Sequence, residues 1–284
     1  MLRRPAPAWS LDLRLGLWLV LLGIALAAAA AWLAPGDPSA LGPTGQTLLA
    51  PSWRHLLGTD ALGRDVLVRL LHGGRVSLLV GWASMVVATV LGTLVGLGAG
   101  LARRPVRAAL TAVIDLFLAF PGVYLVLLLV AVSRPSLGLL VLVLSVSTWM
   151  DTARLVRTEA MALRDREFVA AARGLGLSAG AVAWRHVLPN LLPTVLVAGA
   201  LRIGQTILVE SFLSFLGLGP QEPLVTWGGM IAQGRAHLLD AWWLTAFPGL
   251  AIAVTVLAYN LLADGLRGRF WGEGQGEEVH GGAA

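Results

Sequence analysis

The side chains able to do chemistry are few, and their spacing suits none of the common reactions. His55, His72, His186, His237 and His280 show no metal-ligand spacing, and neither an HExxH pattern nor a paired-carboxylate site occurs. Cysteine is absent, so disulfides and thiolate metal sites are excluded while the redox compartment stays open. Lysine is absent too: all 21 basic residues are arginine, so the P-loop GxxxxGK[ST] cannot be written with this chain. No catalytic residue, metal or resident cofactor is expected. What is left is a set of charges inside or beside long apolar runs: Asp115, Asp151, Arg154, Arg202, Glu210 and Asp264. In lipid such groups are costly unless paired or wet. Asp151 and Arg154 are one helical turn apart and can pair locally. Arg202 lies deep enough in its run to line a water-filled path or to bond a neighbouring carbonyl. Glu210 lies nearer an outer end, where it suits a gate. For each of them a purely structural pairing fits as well as contact with a solute.

The surroundings of those charges decide the class. The chain has 284 residues, of which 57% are hydrophobic and 13% charged, and its mean hydropathy is +0.77. Soluble domains carry about 25% charged residues, so an all-α integral membrane protein is expected. The net charge of +5 does not point to nucleic acid, because the arginines fall between apolar runs rather than along one face. A helix crossing the ~30 Å hydrocarbon layer needs about 20 apolar residues. Six segments meet or approach that length, at 15–33, 76–101, 109–132, 137–155, 192–216 and 243–263. Backbone groups in lipid must satisfy one another, so all six are expected to be helical. The fourth is the weakest, with an uncharged core of only Leu137 to Met150. The Ala27–Ala31 tract would also fit a cleavable signal, but the apolar run is long for one, so a retained span is preferred.

With residues 1–14 inside, inner segments hold fourteen arginines. Outer segments hold six, Arg54, Arg64, Arg69, Arg75, Arg134 and Arg235, with Arg202 inside the fifth span. This follows the positive-inside rule and puts both termini and the 156–191 loop in the cytoplasm. A transmembrane domain over 15–271 and a polar, glycine-rich disordered tail over 272–284 complete the expected organisation.

Between the fourth and fifth spans, Glu167–Asn190 reads EFVAAARGLGLSAGAVAWRHVLPN. Asp165 can cap a first short helix through Arg173, stopped by Gly174 and Gly176. Ser178 can cap a second helix running to Val187, ended by Pro189. Ala170, Ala171 and Ala172 leave a smooth surface that a partner can approach closely. An amphipathic connector lying on the membrane would show the same local signals. Elsewhere, Gly92, Gly96 and Gly100 recur on one helix face, the spacing that lets helix backbones pack closely. Pro121-Gly122 and Pro248-Gly249 mark bends. The turn from Gly58 to Asp65 places Arg64 beside Asp60 and Asp65, an arrangement that fits an anchored loop better than a calcium site.

The fixed spacing of the three alanines, Gly176 and Leu188–Pro189 resembles the cytoplasmic EAA loop of bacterial ABC-importer permeases. HLLGTDALGRDVLVRLLHGGRVSLLVG over His55–Gly81, ESFLSFLGLG over Glu210–Gly219, Trp227–Gly228, and FPGLAIAVTVLAYNLLADGLR over Phe247–Arg267 narrow the resemblance. Together they are similar to the second, C-type permease subunit of the dipeptide/oligopeptide/nickel family. The resemblance implies a type I ABC importer permease in a bacterial plasma membrane. Its implied partners are a second permease subunit, two ABC ATPase subunits, an extracytoplasmic solute-binding protein and the lipid bilayer. It also implies that Glu167, Ala170, Ala171, Ala172, Arg173, Gly176, His186, Leu188 and Pro189 form the ATPase-coupling loop. Two residues depart from the family pattern: Ala170 stands where glutamate is frequent, and His186 where an aliphatic residue is usual. An ion-gradient-driven secondary transporter is the alternative function, although no internal repeat supports it. An intramembrane enzyme would need a facing nucleophile and base, which the chain lacks.

Overall fold

The computed structural model describes residues 10–43, 45–120, 124, 126, 128 and 136–272. Its long helices are α1 (Leu11–Ala28), α2 (Val66–Leu101), α3 (Arg104–Ala119), α4 (Leu137–Val146), α5 (Trp149–Arg164), α8 (Leu188–Phe215) and α10 (Trp243–Trp271). Two short helices, α6 (Glu167–Gly174) and α7 (Ala179–Val182), lie between α5 and α8, and α9 (Trp227–Gly234) lies between α8 and α10. Five stretches among the described residues are long and apolar enough to cross a membrane: Leu11–Ala28, Val66–Leu101, Leu137–Arg164, Ala179–Phe215 and Trp243–Trp271. The sixth expected span, 109–132, begins on α3 and continues into residues outside the described set. Pro121-Gly122 and the tail beyond Gly272 also lie outside it.

Several boundaries differ from expectation: α5 runs on to Arg164 rather than 155, α8 begins at Leu188 rather than 192, and α10 runs to Trp271 rather than 263. The second span begins at Val66 rather than 76, capped by the Asp65 carboxylate, which accepts from the Leu67 and Val68 amides. Arg69 and Arg75 therefore ride on the helix instead of preceding it, and the Arg69 side chain is buried. The first span starts at Leu11, where the Ser10 hydroxyl accepts from the Leu13 amide, and it breaks at Ala29 before one further turn at Ala30–Leu33. Pro248 sits near the start of α10 without interrupting it.

Glycines mark the places where backbones meet. Gly16 of α1 abuts the Leu262 backbone of α10, and Gly265 of α10 abuts Leu13, so these helices run antiparallel. Gly92, Gly96 and Gly100 face successive turns of α5, so α2 and α5 run parallel. A Cβ on Gly92 would stand 2.6 Å from the Trp149 carbonyl, one on Gly96 2.6 Å from that of Ala153, and one on Gly100 2.7 Å from the Ala160 methyl. The partner helix of this glycine stripe is thus in the same chain. Gly81 of α2 faces Ile207 of α8 while Gly199 of α8 faces Met85, which makes that pair antiparallel. These directions bring the start of α1, the α5–α8 connection and the end of α10 to one end of the bundle. The 34–65 and 216–242 connections occupy the other.

Candidate functional site: the elbow between α5 and α8

The elbow begins where α5 ends at Asp165. The Asp165 carboxylate does not cap α6 as expected; it takes hydrogen bonds from Arg164 Nε at 3.0 Å and from its NH2 at 3.4 Å. Those bonds hold the Asp165 carboxyl below the usual carboxylate range. The first turn of α6 follows Arg166, with no side-chain cap. The other end of α6 is closed as expected. Gly176 adopts φ +82°, its amide bonds to the Arg173 carbonyl at 2.9 Å, and the Leu177 amide reaches back to Ala172 at 3.2 Å. That left-handed closure satisfies the last helical carbonyls and turns the chain sharply.

The Ser178 hydroxyl then accepts from the Ala181 amide and starts α7. Here the structure corrects the sequence analysis, because Pro189 does not end the helix. Residues Ala183–Val187 widen into a π turn, in which the Leu188 amide bonds to the Ala183 carbonyl, and α8 continues through Pro189 and Pro193. A proline has no amide to donate and crowds the carbonyl four residues back. One widened turn absorbs both effects. Asn190 Nδ2 meanwhile donates to the His186 carbonyl at 2.6 Å.

Packing divides the elbow into two faces. Val169, Ala172, Val182, Val187 and Leu191 are buried with Val156 and Ala160 of α5 and Leu97 of α2, and Leu188 packs partly against them. Ala172 therefore points inward, not toward a partner. Ala170, Ala171, Glu167, Arg173 and Gly176 are exposed, His186 is half-buried, and Pro189 is exposed. Three large apolar side chains stand out beside them: Phe168, Trp184 and, at 82% exposure, Leu175. A small-residue surface flanked by exposed apolar groups, on a firmly anchored base, is suited to receive another protein. Glu159 Oε2 on α5 accepts from Thr194 on α8 at 2.8 Å and ties the two arms of the elbow together.

The two charges singled out in the fifth span have separate fates. Arg202 NH1 donates to Asp151 Oδ2 at 2.9 Å, so Asp151 pairs across to α8 rather than with Arg154 on its own helix. Glu210 is fully buried inside the chain, accepting from Ser214 at 2.7 Å, Ser77 at 3.2 Å and Ser211 at 3.3 Å. Ser77 in turn accepts from the Trp227 amide of α9. Glu210 is therefore a joint between α2, α8 and α9, not an exposed gate.

At the end opposite the elbow, a polar cluster escaped the sequence. Arg64 pairs with Asp60 at 2.6 Å, as the turn spacing suggested, but also with Glu222 at 2.6 Å and with Gln233. Arg69 donates to Gln233 at 2.8 Å and to the Pro38 carbonyl at 2.9 Å. Glu222 and Gln233 lie more than 150 positions from these arginines, and no local pattern announces them.

Comparison with known proteins gives the family. Residues 88–270 match the family described as the binding-protein-dependent transport system inner membrane component. A Brucella suis protein named as a peptide transport system permease is 39% identical over 254 residues, 89% of this chain and 85% of its own length. DdpC of Escherichia coli, named for D,D-dipeptide transport, is 38% identical over 83% of this chain and 79% of its own. The dipeptide transport system permease protein DppC of Alkalihalophilus pseudofirmus is 38% identical over 78% of this chain and 72% of its own. With more than half of its length matched by the one family and 38–39% identity to these permeases over the aligned stretches, the chain belongs to the inner membrane components of binding-protein-dependent transport systems.

Proposed function

We propose that this permease subunit imports short peptides, and that its elbow over residues 165–189 is where ATPase subunits deliver their movement. The observation that carries the proposal is the split of the elbow into two faces. Val169, Ala172, Val182 and Val187 anchor it to α5 and α8, while Ala170, Ala171, Phe168, Leu175 and Trp184 are presented outward. A partner closing on ATP would push a rigid piece rather than a floppy loop, and α5 and α8 would follow it. The chain would then alternate between states open to each side, a two-state element biased from a distance. Ala170 removes the glutamate contact frequent in similar loops, so Glu167 and Arg173 supply the charged contacts here.

The complete importer would hold a second permease subunit, two ATPase subunits and an extracytoplasmic solute-binding protein that delivers the peptide. The peptide class rests on the names of the relatives. Nickel complexes are transported in the wider family the sequence resembles, and they are the competing cargo. An ion-gradient-driven carrier, the alternative weighed from sequence, finds no support in a binding-protein-dependent family.

The test is reconstitution of the four kinds of subunit in vesicles. Binding protein loaded with a di- or tripeptide should stimulate ATP hydrolysis and drive labelled peptide inward. ATP hydrolysis indifferent to loaded binding protein, or uptake driven by an ion gradient without ATP, would contradict the proposal.

A further inference from the structure

Resting on the peptide-import reading above, we infer that the outward face of α5, together with Arg202 of α8, lines the solute path. We further assign the Asp151–Arg202 pair as the point that receives a peptide's charged termini.

The inference begins with an inverted helix. The buried positions of α5, namely Trp149, Met150, Thr152, Ala153, Val156 and Ala160, pack on the glycine face of α2. Its outward positions are Asp151, Arg154 and Thr158, with Glu159 half-buried beside them. They recur at three- and four-residue spacing, one stripe along the helix. The exposed large side chains of the middle of α2 and of the first half of α10 are of the opposite kind: Leu79, Val86, Val87, Val90 and Leu94 on α2, and Leu250, Val254 and Leu257 on α10. Lipid is the natural neighbour of those leucines and valines, and a poor one for α5, since an Arg or Asp at mid-membrane costs about 2.5–3.5 kcal/mol even on the mildest scale.

Depth matters as well. Ala160 lies level with Gly100, at the α2 end just before Arg103 and Arg104. Asp151 precedes Ala160 by nine residues, which at a rise of about 1.5 Å per residue sets it roughly 14 Å further in, near mid-membrane. At that depth the Asp151 side chain is 52% exposed on the chain's surface, whereas Arg202 is 14% exposed. A half-exposed carboxylate at mid-membrane faces water, and the water there is in the path.

The pair also matches its cargo. A free peptide carries an ammonium at one end and a carboxylate at the other. Arg202 offers a fork of donors to a carboxylate, and Asp151 accepts from an ammonium, so an arriving zwitterion can replace each partner's bond with its own.

Two sets of variants test the inference in the assembled importer. Because the chain has no cysteine, Arg154→Cys and Thr158→Cys give single thiols. Both should react with a membrane-impermeant thiol reagent, while Val90→Cys should not; equal inertness of all three overturns the path assignment. In uptake assays, Arg202→Gln should raise KM roughly tenfold to hundredfold for free dipeptides, with little change for C-terminally amidated ones. Asp151→Asn should show the same contrast between free and N-acetylated peptides. Equal losses for free and blocked peptides, or full recovery in the charge-swapped pair Asp151→Arg with Arg202→Asp, would make this a structural bridge and overturn terminus recognition. If the thiols react but the wild type imports no peptide, the peptide reading and terminus recognition fall together while the path placement stands.

Discussion

Gly96 carries no side chain because Val156 and the Ala153 carbonyl already occupy the space where one would go. A leucine there must push α2 away from α5, and overpacking of this kind costs about 1–3 kcal/mol or more. Thermal unfolding in detergent should show Gly96→Leu clearly destabilised, and Gly138→Ala, at a glycine with open space around it, unchanged. Glu210 makes a second residue-scale prediction. Glu210→Leu deprives Ser77, Ser211 and Ser214 of their shared acceptor, and buried hydroxyls left without a partner cost about 1–3 kcal/mol. Glu210→Gln keeps an acceptor oxygen and should melt between the two. Residues at this scale were legible unevenly. The four-residue glycine spacing announced a packing face, but nothing in it named α5 as the partner. Spacing shows only that Asp151 can pair locally with Arg154; Arg202 is 51 positions away, and only the folded bundle brings it to Asp151.

Helix ends were easier to anticipate where a side chain or a backbone conformation fixes them locally. Ser178 starts α7 and Gly176 stops α6, and both signals act within four residues. Pro189 misled because a proline stops a helix of regular pitch, whereas the π turn at Ala183–Val187 changes the pitch just ahead of it. Asp165 misled because Arg164 competes for its carboxylate. The elbow's mechanics follow from these details. Gly176 sits at φ +82° with open space around it. Gly176→Leu therefore meets strain of about 1–2 kcal/mol rather than a clash, and insertion should survive. The expected result is an assembled complex that hydrolyses ATP with uptake greatly reduced; normal uptake would count against the elbow as the coupling piece. Ala170→Trp and Ala172→Trp should separate the two faces. The first should weaken ATPase binding at unchanged thermal stability, and the second should destabilise the permease itself, as melting curves with and without the ATPase would show.

At the scale of the whole molecule, the directions of α1, α2, α5, α8 and α10, with α2 and α5 parallel, place the elbow with the start of α1 and the end of α10. We propose, from the excess of arginine on that side, that it is the cytoplasmic one. A reporter fused after Arg267 should accordingly be active only as a cytoplasmic fusion, and an active exported reporter would invert the topology. Helical class and five of the six expected spans were readable from apolar length alone, since lipid leaves the backbone no alternative. The return of α9 into the bundle was not, because Trp227 is held there by Ser77 and Leu70 on a distant helix. The cluster of Arg64, Arg69, Glu222 and Gln233 was hidden for the same reason. The mechanism depends most on what touches the elbow, and the absence of cysteine makes that contact directly measurable. A single thiol at Leu175→Cys, matched with single thiols on the ATPase surface, should cross-link to the ATPase in membranes with a yield that changes on adding ATP. A Leu175→Cys that never cross-links to an ATPase, and instead takes up lipid-soluble reagents at the membrane surface, would contradict the coupling role outright.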